Sequence, residues 1–331
     1  MKKLARLKNK IRSVIESVPL LKHAVRKLQS LRHSPETLVL RPPTDRESIL
    51  IENLRARIIN LPEPVIGLSD AGNEWSRNRL RLRSLILQED PRSFLHWDVI
   101  RQTMFVGNVE YVAAELFFLQ KSGLWDRYQQ GIRETDFGCP EFSWTYPKSS
   151  PNLIHHAYTI GCFEKVSGKS VNEFKTVFEF GGGYGSMCRL FHQLGFQGKY
   201  IIFDFPDLSA LQSYYLTSIG LKVKSIESFS HEMSGVFCLS TPDAYKKFMK
   251  SGQDACFLGT WSVSETPEAV RGDLFAFLPS FDHYIIAFQE RYNELNNVHF
   301  FQKFSEARPG LHWYQTPIPH LPGNHYCFGF S

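Results

Sequence analysis

Several features that would place this 331-residue chain in a specialised class are missing from it. No run of about 18 or more apolar residues occurs, which argues against a membrane-spanning helix. The opening stretch, MKKLARLKNKIRSVIESV, lacks the continuous apolar segment and small-residue cleavage site of a secretory signal. Its six cysteines include no C-x-x-C pair, which argues against a zinc cage and a disulfide framework. We therefore expect a protein of the reducing cytoplasm.

What is present is the composition of an ordinary globular protein, with 43% hydrophobic and 21% charged residues. The net charge of +5 is concentrated near the amino terminus, where apolar residues recur every three or four positions among many lysines and arginines. This spacing predicts a basic amphipathic helix over residues 1–33. Two interpretations stay open: the helix lies on the anionic inner face of the membrane, or it packs its apolar stripe on the rest of the protein.

The remaining chain divides into two regions by pattern. Residues 34–150 are predicted to be a helical region on the acceptor side, with helices at 47–59 and over most of 70–130. Residues 151–331 alternate short apolar runs with helical segments and end in two strand-like runs across an HLPG turn. Continuous apolar strands separated by helices indicate a buried parallel sheet, so we predict an α/β fold with a doubly wound sheet that ends in an antiparallel hairpin.

The stretch VFEFGGGYGSM, at 177–187, places four glycines directly after the first predicted strand. In an open parallel sheet, ligands bind where such a strand turns into its helix, and glycine lets the backbone approach them closely. A phosphate-binding P-loop is excluded because no lysine follows at the required position. The dinucleotide pattern G-x-G-x-x-G also fails, since it would require glycine at Ser186 or at Tyr184. The spacing that fits is E-x-G-x-G-x-G, formed by Glu179, Gly181, Gly183 and Gly185.

This pattern resembles motif I of the class I S-adenosylmethionine-dependent methyltransferases. An acid is expected at the end of the second strand, where its carboxylate can accept hydrogen bonds from both ribose hydroxyls, and Asp204 stands there. The blocks FEFGGGYGSMCRLF, IIFDFPDLSALQSYYL, FLGTWSVSETPEAVRGDLF and IIAFQERYN are similar to a bacterial family of sugar O-methyltransferases. The resemblance covers about 150–331 and implies S-adenosylmethionine as cofactor, with Phe205, Thr260 and Trp261 as further cofactor contacts. Thr260 departs from the asparagine expected in many members.

The resemblance implies transfer of a methyl group to a hydroxyl of a sugar or glycan precursor, in the biosynthesis of surface polysaccharide or glycan. A protonated hydroxyl is a poor nucleophile, so a base is needed nearby. The strand ends nominate His320, His325, Glu265 and Glu290, with the histidines preferred because imidazole protonation is easily tuned. Alternatives stay open: Glu265 also suits a helix start capped by Ser264, and Glu290 also suits a surface ion pair with Arg291.

Three residues are candidates for contact with the acceptor. His155 opens the helix that precedes the first strand, Tyr146 offers a ring that can stack on a sugar face, and Arg291 follows the fifth strand. In the purely structural alternative, Asn152 caps the helix that contains His155. The same alternative makes the aromatic rings part of the core.

Further partners follow from the same residues. A divalent metal that binds two sugar hydroxyls is one known route for such transfers, but the chain has no compact acidic motif, and no metal site is predicted. Nucleic acid is not expected as a partner, because basic residues are not interleaved across the sheet region. Methyltransferases of other small-molecule or lipid hydroxyls, and a noncatalytic cofactor-binding homologue, remain alternatives. The sequence does not indicate an oligomeric state.

Overall fold

The computed structural model describes residues 40–64, 70–241, 254–278 and 280–331. Of these, residues 43–331 belong to one compact unit. The basic helix predicted over 1–33 lies outside the described residues, and the proposed boundaries at 33 and 150 stay predictions. Within the described residues, no helix combines the length and the apolar character needed to cross a bilayer.

The described amino-terminal part of this unit is mainly helical, as predicted. Its helices are α1 (Asp45–Ile59), α2 (Asp70–Gln88), α3 (Asp98–Thr103), α4 (Glu110–Lys121) and α5 (Trp125–Gly131), with a 3₁₀ turn at Pro91–His96. Helix α1 begins with a capping box in which Thr44 and Glu47 each bind the other's backbone amide, so its start is encoded locally. The stretch from 132 to 150 contains neither helix nor strand.

Helix α6 (Pro151–Ser167) precedes the sheet and is buried over most of its length. Its start is capped by Ser150, whose hydroxyl accepts a hydrogen bond from the Leu153 amide at 3.2 Å. The alternative in which Asn152 caps this helix is therefore wrong. The Asn152 side chain instead accepts from the Val106 amide and donates to the Tyr184 hydroxyl at 2.9 Å.

A seven-stranded sheet forms the centre of the unit. Its strands are β1 (Thr176–Phe180), β2 (Lys199–Phe203), β3 (Gly235–Leu239), β4 (Ala255–Thr260), β5 (His283–Gln289), β8 (His312–Pro317) and β9 (Asn324–Phe330), in the order β3-β2-β1-β4-β5-β9-β8. The first five are parallel, whereas β9 runs antiparallel to β5 and to β8. The predicted terminal hairpin is confirmed, with its second strand inserted next to β5. Two short strands, β6 (Arg291–Tyr292) and β7 (Leu295–Asn296), form a separate ribbon.

Both faces of the sheet are covered, because alternate strand residues enter two different hydrophobic clusters. Val177 and Ile202 pack in the first cluster with α6, whereas Phe178 and Ile201 pack in the second. The covering helices in the second half are α7 (Ser186–Gln193), α8 (Pro206–Ser218), α9 (Ser262–Glu265), α10 (Glu268–Phe277) and α11 (Asn297–Glu306). The predicted doubly wound fold with a helical amino-terminal part is confirmed. The strand order reverses between β1 and β4, which is where such sheets bind ligands.

Candidate functional site

A cavity of about 800 Å³ opens at the carboxyl ends of β1, β2 and β4, at the point where the strand order reverses. We call it the switch-point cavity. Its volume is that of a site for a drug-sized or cofactor-sized ligand. Of the predicted site residues, the structure brings these to its wall: His155, Glu179, Gly181, Gly183, Asp204, Phe205, Thr260, Trp261 and Glu265.

The glycine loop after β1 has a backbone that other residues would strain. Gly181, Gly183 and Gly185 have φ values of 72°, 56° and 97°. A Cβ on Gly181 would also lie 2.4 Å from the Cβ of Ser262, so this position has no room for a side chain. Gly185 is buried and begins α7 instead of lining the cavity. The alternating glycines therefore serve two purposes, namely close approach at the cavity and the start of the helix.

Gly182, which the E-x-G-x-G-x-G pattern does not require, is fixed by packing. A Cβ at this position would lie 2.5 Å from Cγ2 of Ile202 and 2.9 Å from Oε2 of Glu179. Its φ is not positive, so the constraint is steric. Glycine at position 182 thus lets the loop lie directly against β2 and Glu179.

Asp204 follows β2 and is tied to the glycine loop. Its Oδ1 accepts from the Phe205 amide at 2.8 Å, and its Oδ2 accepts from Nε2 of Gln212 at 2.9 Å. The same Gln212 nitrogen donates to the Gly183 carbonyl at 2.9 Å. Burial raises the pKa of Asp204 to about 7, although these hydrogen bonds oppose the increase. Both protonation states of the carboxyl are therefore available near neutral pH.

Glu179 lies at the base of the same wall and is only 2% exposed. Its Oε2 accepts a hydrogen bond from the Tyr200 hydroxyl at 3.0 Å. Burial raises the pKa of Glu179 to about 8, and the nearby Asp204 adds to the increase. At neutral pH this group is mostly a neutral carboxylic acid, which can donate a hydrogen bond to a ligand as well as accept one.

The aromatic ring of Phe205 is exposed at the edge of the cavity, beside Asp204. It contacts Trp75, with ring centroids 6.0 Å apart, and the guanidinium of Arg79, which lies 4.7 Å from the ring centre. Arg79 and Arg83 both pair with the fully buried carboxylate of Asp207. This double ion pair fixes α2 against the start of α8 and so holds the ring in place.

Trp261 directly follows β4 in a strained conformation. Its φ of 63° is rare for a residue with a bulky side chain, and such strain is found most often at functional sites. The indole Nε1 donates to Oδ1 of Asn324 at 2.7 Å, and the ring stacks on His155 with centroids 5.3 Å apart. The strained backbone thereby places an aromatic face against an imidazole at the cavity wall.

Behind this imidazole lies a buried acid that sequence patterns did not nominate. Oε1 of Glu115 on α4 lies 2.6 Å from Nδ1 of His155 and 2.8 Å from Nε2 of His320. Tyr111 stacks on the His320 ring at 5.2 Å. The signal in the sequence was a lone charged residue in the apolar segment YVAAELFFL, but a glutamate in a helix is usually exposed and does not reveal its partners.

Glu265 ends the short helix α9 and lines the cavity. Burial raises the pKa of its carboxyl above the usual value, and Glu74 adds to the effect, whereas hydrogen bonds from Gln289 and Trp75 oppose it. The alternative in which Ser264 caps a helix at this point is wrong, because α9 starts earlier and the Ser264 hydroxyl donates to the Trp261 carbonyl. Glu265 is therefore a cavity residue rather than part of a capped helix start.

The other predicted site residues lie elsewhere. His325 pairs with Glu290 at 2.8 Å, and neither lines the cavity. Arg291 is exposed in β6, so the alternative of a Glu290–Arg291 pair is replaced by the pair with His325. Tyr146 packs its ring edge-on against Trp125.

His320 contacts Glu115 and the ring of Tyr111 and is not itself among the lining residues. The second histidine of the helix, His156, does line the cavity. Burial lowers the pKa of His156 to about 3, and His155 contributes to the decrease, so its ring is neutral. Its Nδ1 lies 2.8 Å from the Ser186 hydroxyl. Across the described ranges, no group of three or more His, Cys, Asp or Glu side chains is arranged to hold a metal ion.

No protein-family model and no curated protein sequence matches this chain. Several solved methyltransferase structures resemble it in part. A magnesium protoporphyrin IX methyltransferase from Synechocystis PCC 6803, solved with bound S-adenosylmethionine, is 11% identical, with 69% of this chain and 100% of that chain covered and a TM-score of 0.36. An S-adenosylmethionine-dependent methyltransferase from Aquifex aeolicus is 14% identical, with 47% and 81% covered and a TM-score of 0.35.

A glycopeptide N-methyltransferase solved with S-adenosylmethionine is 11% identical, with 47% of this chain and 81% of that chain covered and a TM-score of 0.33. Scores below 0.5 do not assign a cofactor or an activity to this chain. The geometry of the switch-point cavity has to carry that assignment.

Proposed function

We propose that this chain is an S-adenosylmethionine-dependent O-methyltransferase that acts on a hydroxyl of a sugar or glycan precursor. The observation that carries the proposal is the junction of the glycine loop with Asp204. One side chain, Gln212, donates from the same nitrogen to the Gly183 carbonyl and to the Asp204 carboxylate. One side chain thus holds together the glycine loop, which a ligand can approach closely, and the carboxylate that can accept hydrogen bonds from the hydroxyls of the ligand.

The residues present suit the cofactor. Asp204 keeps acceptor capacity beyond its two hydrogen bonds, since an ionised carboxylate has about four acceptor sites, and a ribose diol would use it. The exposed ring of Phe205 next to it offers an apolar face for a nucleoside base. The loop at 181–183, where side chains would clash or strain the backbone, leaves room for the amino acid part. Bound there, the cofactor supplies an electrophilic methyl group on a positively charged sulfur.

A sugar hydroxyl as acceptor is supported by the sequence blocks that resemble those of the sugar O-methyltransferases and by the polar groups at the other end of the cavity. Glu265, Thr266 and Asn324 line that end beside the Trp261 ring. Hydrogen-bonding groups next to an aromatic face suit a pyranose, which has apolar ring faces and hydroxyls at its edge.

A second candidate is a hydroxyl on an apolar small molecule or lipid. The specific observation is the set of apolar side chains that line the cavity, namely Met104, Phe105, Val106, Val270 and Leu321. Such a surface favours an acceptor that carries an apolar group next to its hydroxyl. A lipid-linked glycan would satisfy both observations.

The proposal is tested in two steps. Calorimetry with S-adenosylhomocysteine should show binding, and Asp204→Ala should weaken it by about 1–3 kcal/mol, the cost of leaving hydroxyl donors without an acceptor. The matched control is Asp126→Ala, which removes an exposed acid on α5 and should change nothing. An absence of binding by the unaltered protein would end the methyltransferase proposal.

The acceptor is then identified by transfer of tritiated methyl groups to nucleotide sugars, lipid-linked glycans, apolar alcohols and nucleic acid. Label in the first two classes supports the sugar proposal, and label in apolar alcohols alone supports the second candidate. Label in nucleic acid alone would contradict both.

A further inference from the structure

Glu115 is an unusual residue to find in the core of this protein. Its side chain is fully buried, and Oε1 alone takes part in both histidine contacts. The other oxygen, Oε2, is buried without a hydrogen-bond partner among the described residues. Leaving a carboxylate in this state is costly, because burial of a charge is tolerated only when the charge is paired and hydrogen-bonded.

The ion-pair partners of this acid among the described residues are both histidines. Within the described part of the chain, Glu115 forms ion-pair contacts with His155 and His320 and with no arginine or lysine. Burial raises the pKa of Glu115, but the hydrogen bonds from the two histidines outweigh burial and leave the pKa below its usual value. The carboxylate is therefore ionised, and protonation of either imidazole would neutralise a buried negative charge.

Only one of the two imidazoles reaches the cavity. His155 is 3% exposed and lines the wall, whereas His320 does not line it. Nδ1 of His155 faces the Glu115 carboxylate and so carries the hydrogen that it donates. Nε2 is then the basic nitrogen, and it has no hydrogen-bond partner among the described residues. Stacking on Trp261, itself held by Asn324, fixes the plane of the ring.

We propose that His155 is the general base that activates the acceptor hydroxyl. Glu115, assisted by His320, is the positioning residue that orients the His155 ring and stabilises its protonated form. This inference rests on the proposed methyltransferase function. A carboxylate behind an imidazole sets its tautomer and stabilises the imidazolium, as in other acid–histidine pairs. His320, predicted as a base from the sequence, takes the supporting role instead.

In the transfer step, Nε2 of His155 takes the hydroxyl proton while the acceptor oxygen forms a bond to the methyl carbon. The bond between that carbon and the sulfur breaks, and its electron pair stays on sulfur, which becomes a neutral thioether. The proton remains on the imidazolium, next to the Glu115 carboxylate, until it is released to water.

The titratable groups around His155 and its acid come from several elements. Glu115 and Tyr111 belong to α4, His320 to the turn between β8 and β9, and His156 to α6. Burial and Glu115 raise the pKa of Tyr111 to about 12, so its phenol is neutral, as is the ring of His156. Glu115 is therefore the anion that contacts the cavity imidazole.

The first test compares Glu115→Gln with Glu110→Gln, which alters an exposed acid on the same helix. With the acceptor found by labelling, Glu115→Gln should lower kcat by about 10²-fold or more, because an amide no longer fixes the tautomer. Loss of the neighbouring anion disfavours the imidazolium, so the ascending limb of the kcat–pH profile should also move to lower pH. Glu110→Gln should leave both unchanged. His155→Ala should lower kcat by about 10²–10⁴-fold.

S-adenosylhomocysteine affinity should stay unchanged in all three variants, and this readout separates the inference from the proposed function. If the unaltered protein does not bind S-adenosylhomocysteine, the proposed function is wrong. If His155→Ala binds it and keeps full kcat, only the inference is wrong. The rival base on the cavity wall is Glu265. The inference would also be overturned if Glu265→Gln abolished the ascending limb of the kcat–pH profile while His155→Ala retained it.

A second measurement needs neither a variant nor an acceptor. Nitrogen-15 NMR of the histidine rings, with S-adenosylhomocysteine bound, should show the neutral His155 ring protonated at Nδ1. Protonation at Nε2 would overturn the inference, because that nitrogen could not accept the hydroxyl proton. This result stands even if Glu115→Gln proves too unstable to purify.

Discussion

The two ends of the switch-point cavity are assembled in different ways. The cofactor end is formed by residues 179–212, which are close in sequence and joined by Gln212. The acceptor end joins Glu115 to His155, 40 positions away, and to His320, 205 positions away. The first end is determined mainly by the local conformation of a turn, and the second by the packing of distant elements. We therefore expect substitutions that alter the backbone to impair the cofactor end, and substitutions that remove a charge to impair the acceptor end.

The largest effect on cofactor binding is expected from Gly181→Ala. The new Cβ would clash with Ser262, and the alanine would have to adopt a left-handed backbone conformation. Overpacking costs about 1–3 kcal/mol, and the left-handed conformation adds about 1–2 kcal/mol. The loop should shift to relieve both, so S-adenosylhomocysteine should bind about 100-fold more weakly by calorimetry.

The matched control is Gly168→Ala, at the end of α6. Gly168 has a φ of 70°, but a Cβ added to it would meet no atom within 4 Å, so only the backbone cost applies. This variant should lower the free energy of unfolding while leaving affinity unaltered. Equal affinities for the two variants would show that the cofactor end does not depend on the close approach of its loop.

The next largest effect on cofactor affinity is expected from a change in pH. Ribose hydroxyls donate hydrogen bonds, so the cofactor should prefer ionised Asp204, whose pKa burial raises to about 7. As pH falls below this value, binding has to displace a proton, and affinity should decrease by up to about tenfold per pH unit. In calorimetry between pH 5 and 7.5, Glu179 stays mostly protonated, because burial raises its pKa to about 8.

Asp204→Asn should bind more weakly at pH 7.5 and should lose this pH dependence. An unchanged slope in that variant would assign the titration to another group. The cofactor end would then need a different acceptor for the hydroxyls.

The smallest effect on cofactor binding is expected from changes at the acceptor end. His320→Gln removes a partner of Glu115 but does not alter a cavity-lining side chain or the glycine loop. Affinity for S-adenosylhomocysteine should therefore stay within about twofold of the unaltered protein, as expected for independent sites. A tenfold loss would show that the two ends are energetically coupled and do not behave as separate assemblies.

Much of the fold was predictable because its signals are local. The apolar runs and their glycine and proline boundaries predicted the strands of the sheet and the terminal hairpin, and the structure confirms them. The alternating glycines and Asp204 were predictable for the same reason, since the carboxyl ends of adjacent parallel strands meet at one edge. Gly182 was not, because its constraint is contact with Ile202 on a neighbouring strand.

The histidines show where such prediction stops. His320 and His325 both flank the hairpin turn, and sequence position alone gave them equal standing as bases. The structure pairs His325 with Glu290 away from the cavity and turns His320 toward a buried acid on α4. Neither partner could be chosen from spacing, because each contact crosses from one element to another that is distant in the chain.

Neighbouring residues specify the α/β fold, the turn after β1 and the acid after β2, because backbone conformation and strand alternation are local properties of the chain. Tertiary packing, in contrast, specifies which imidazole faces the cavity and which carboxylate lies behind it. Such a contact depends on where α4, α6 and the last hairpin pack around the sheet, and side-chain burial and pairing are set by that packing. The chemistry proposed for His155 is thus a property of the folded chain rather than of any one motif.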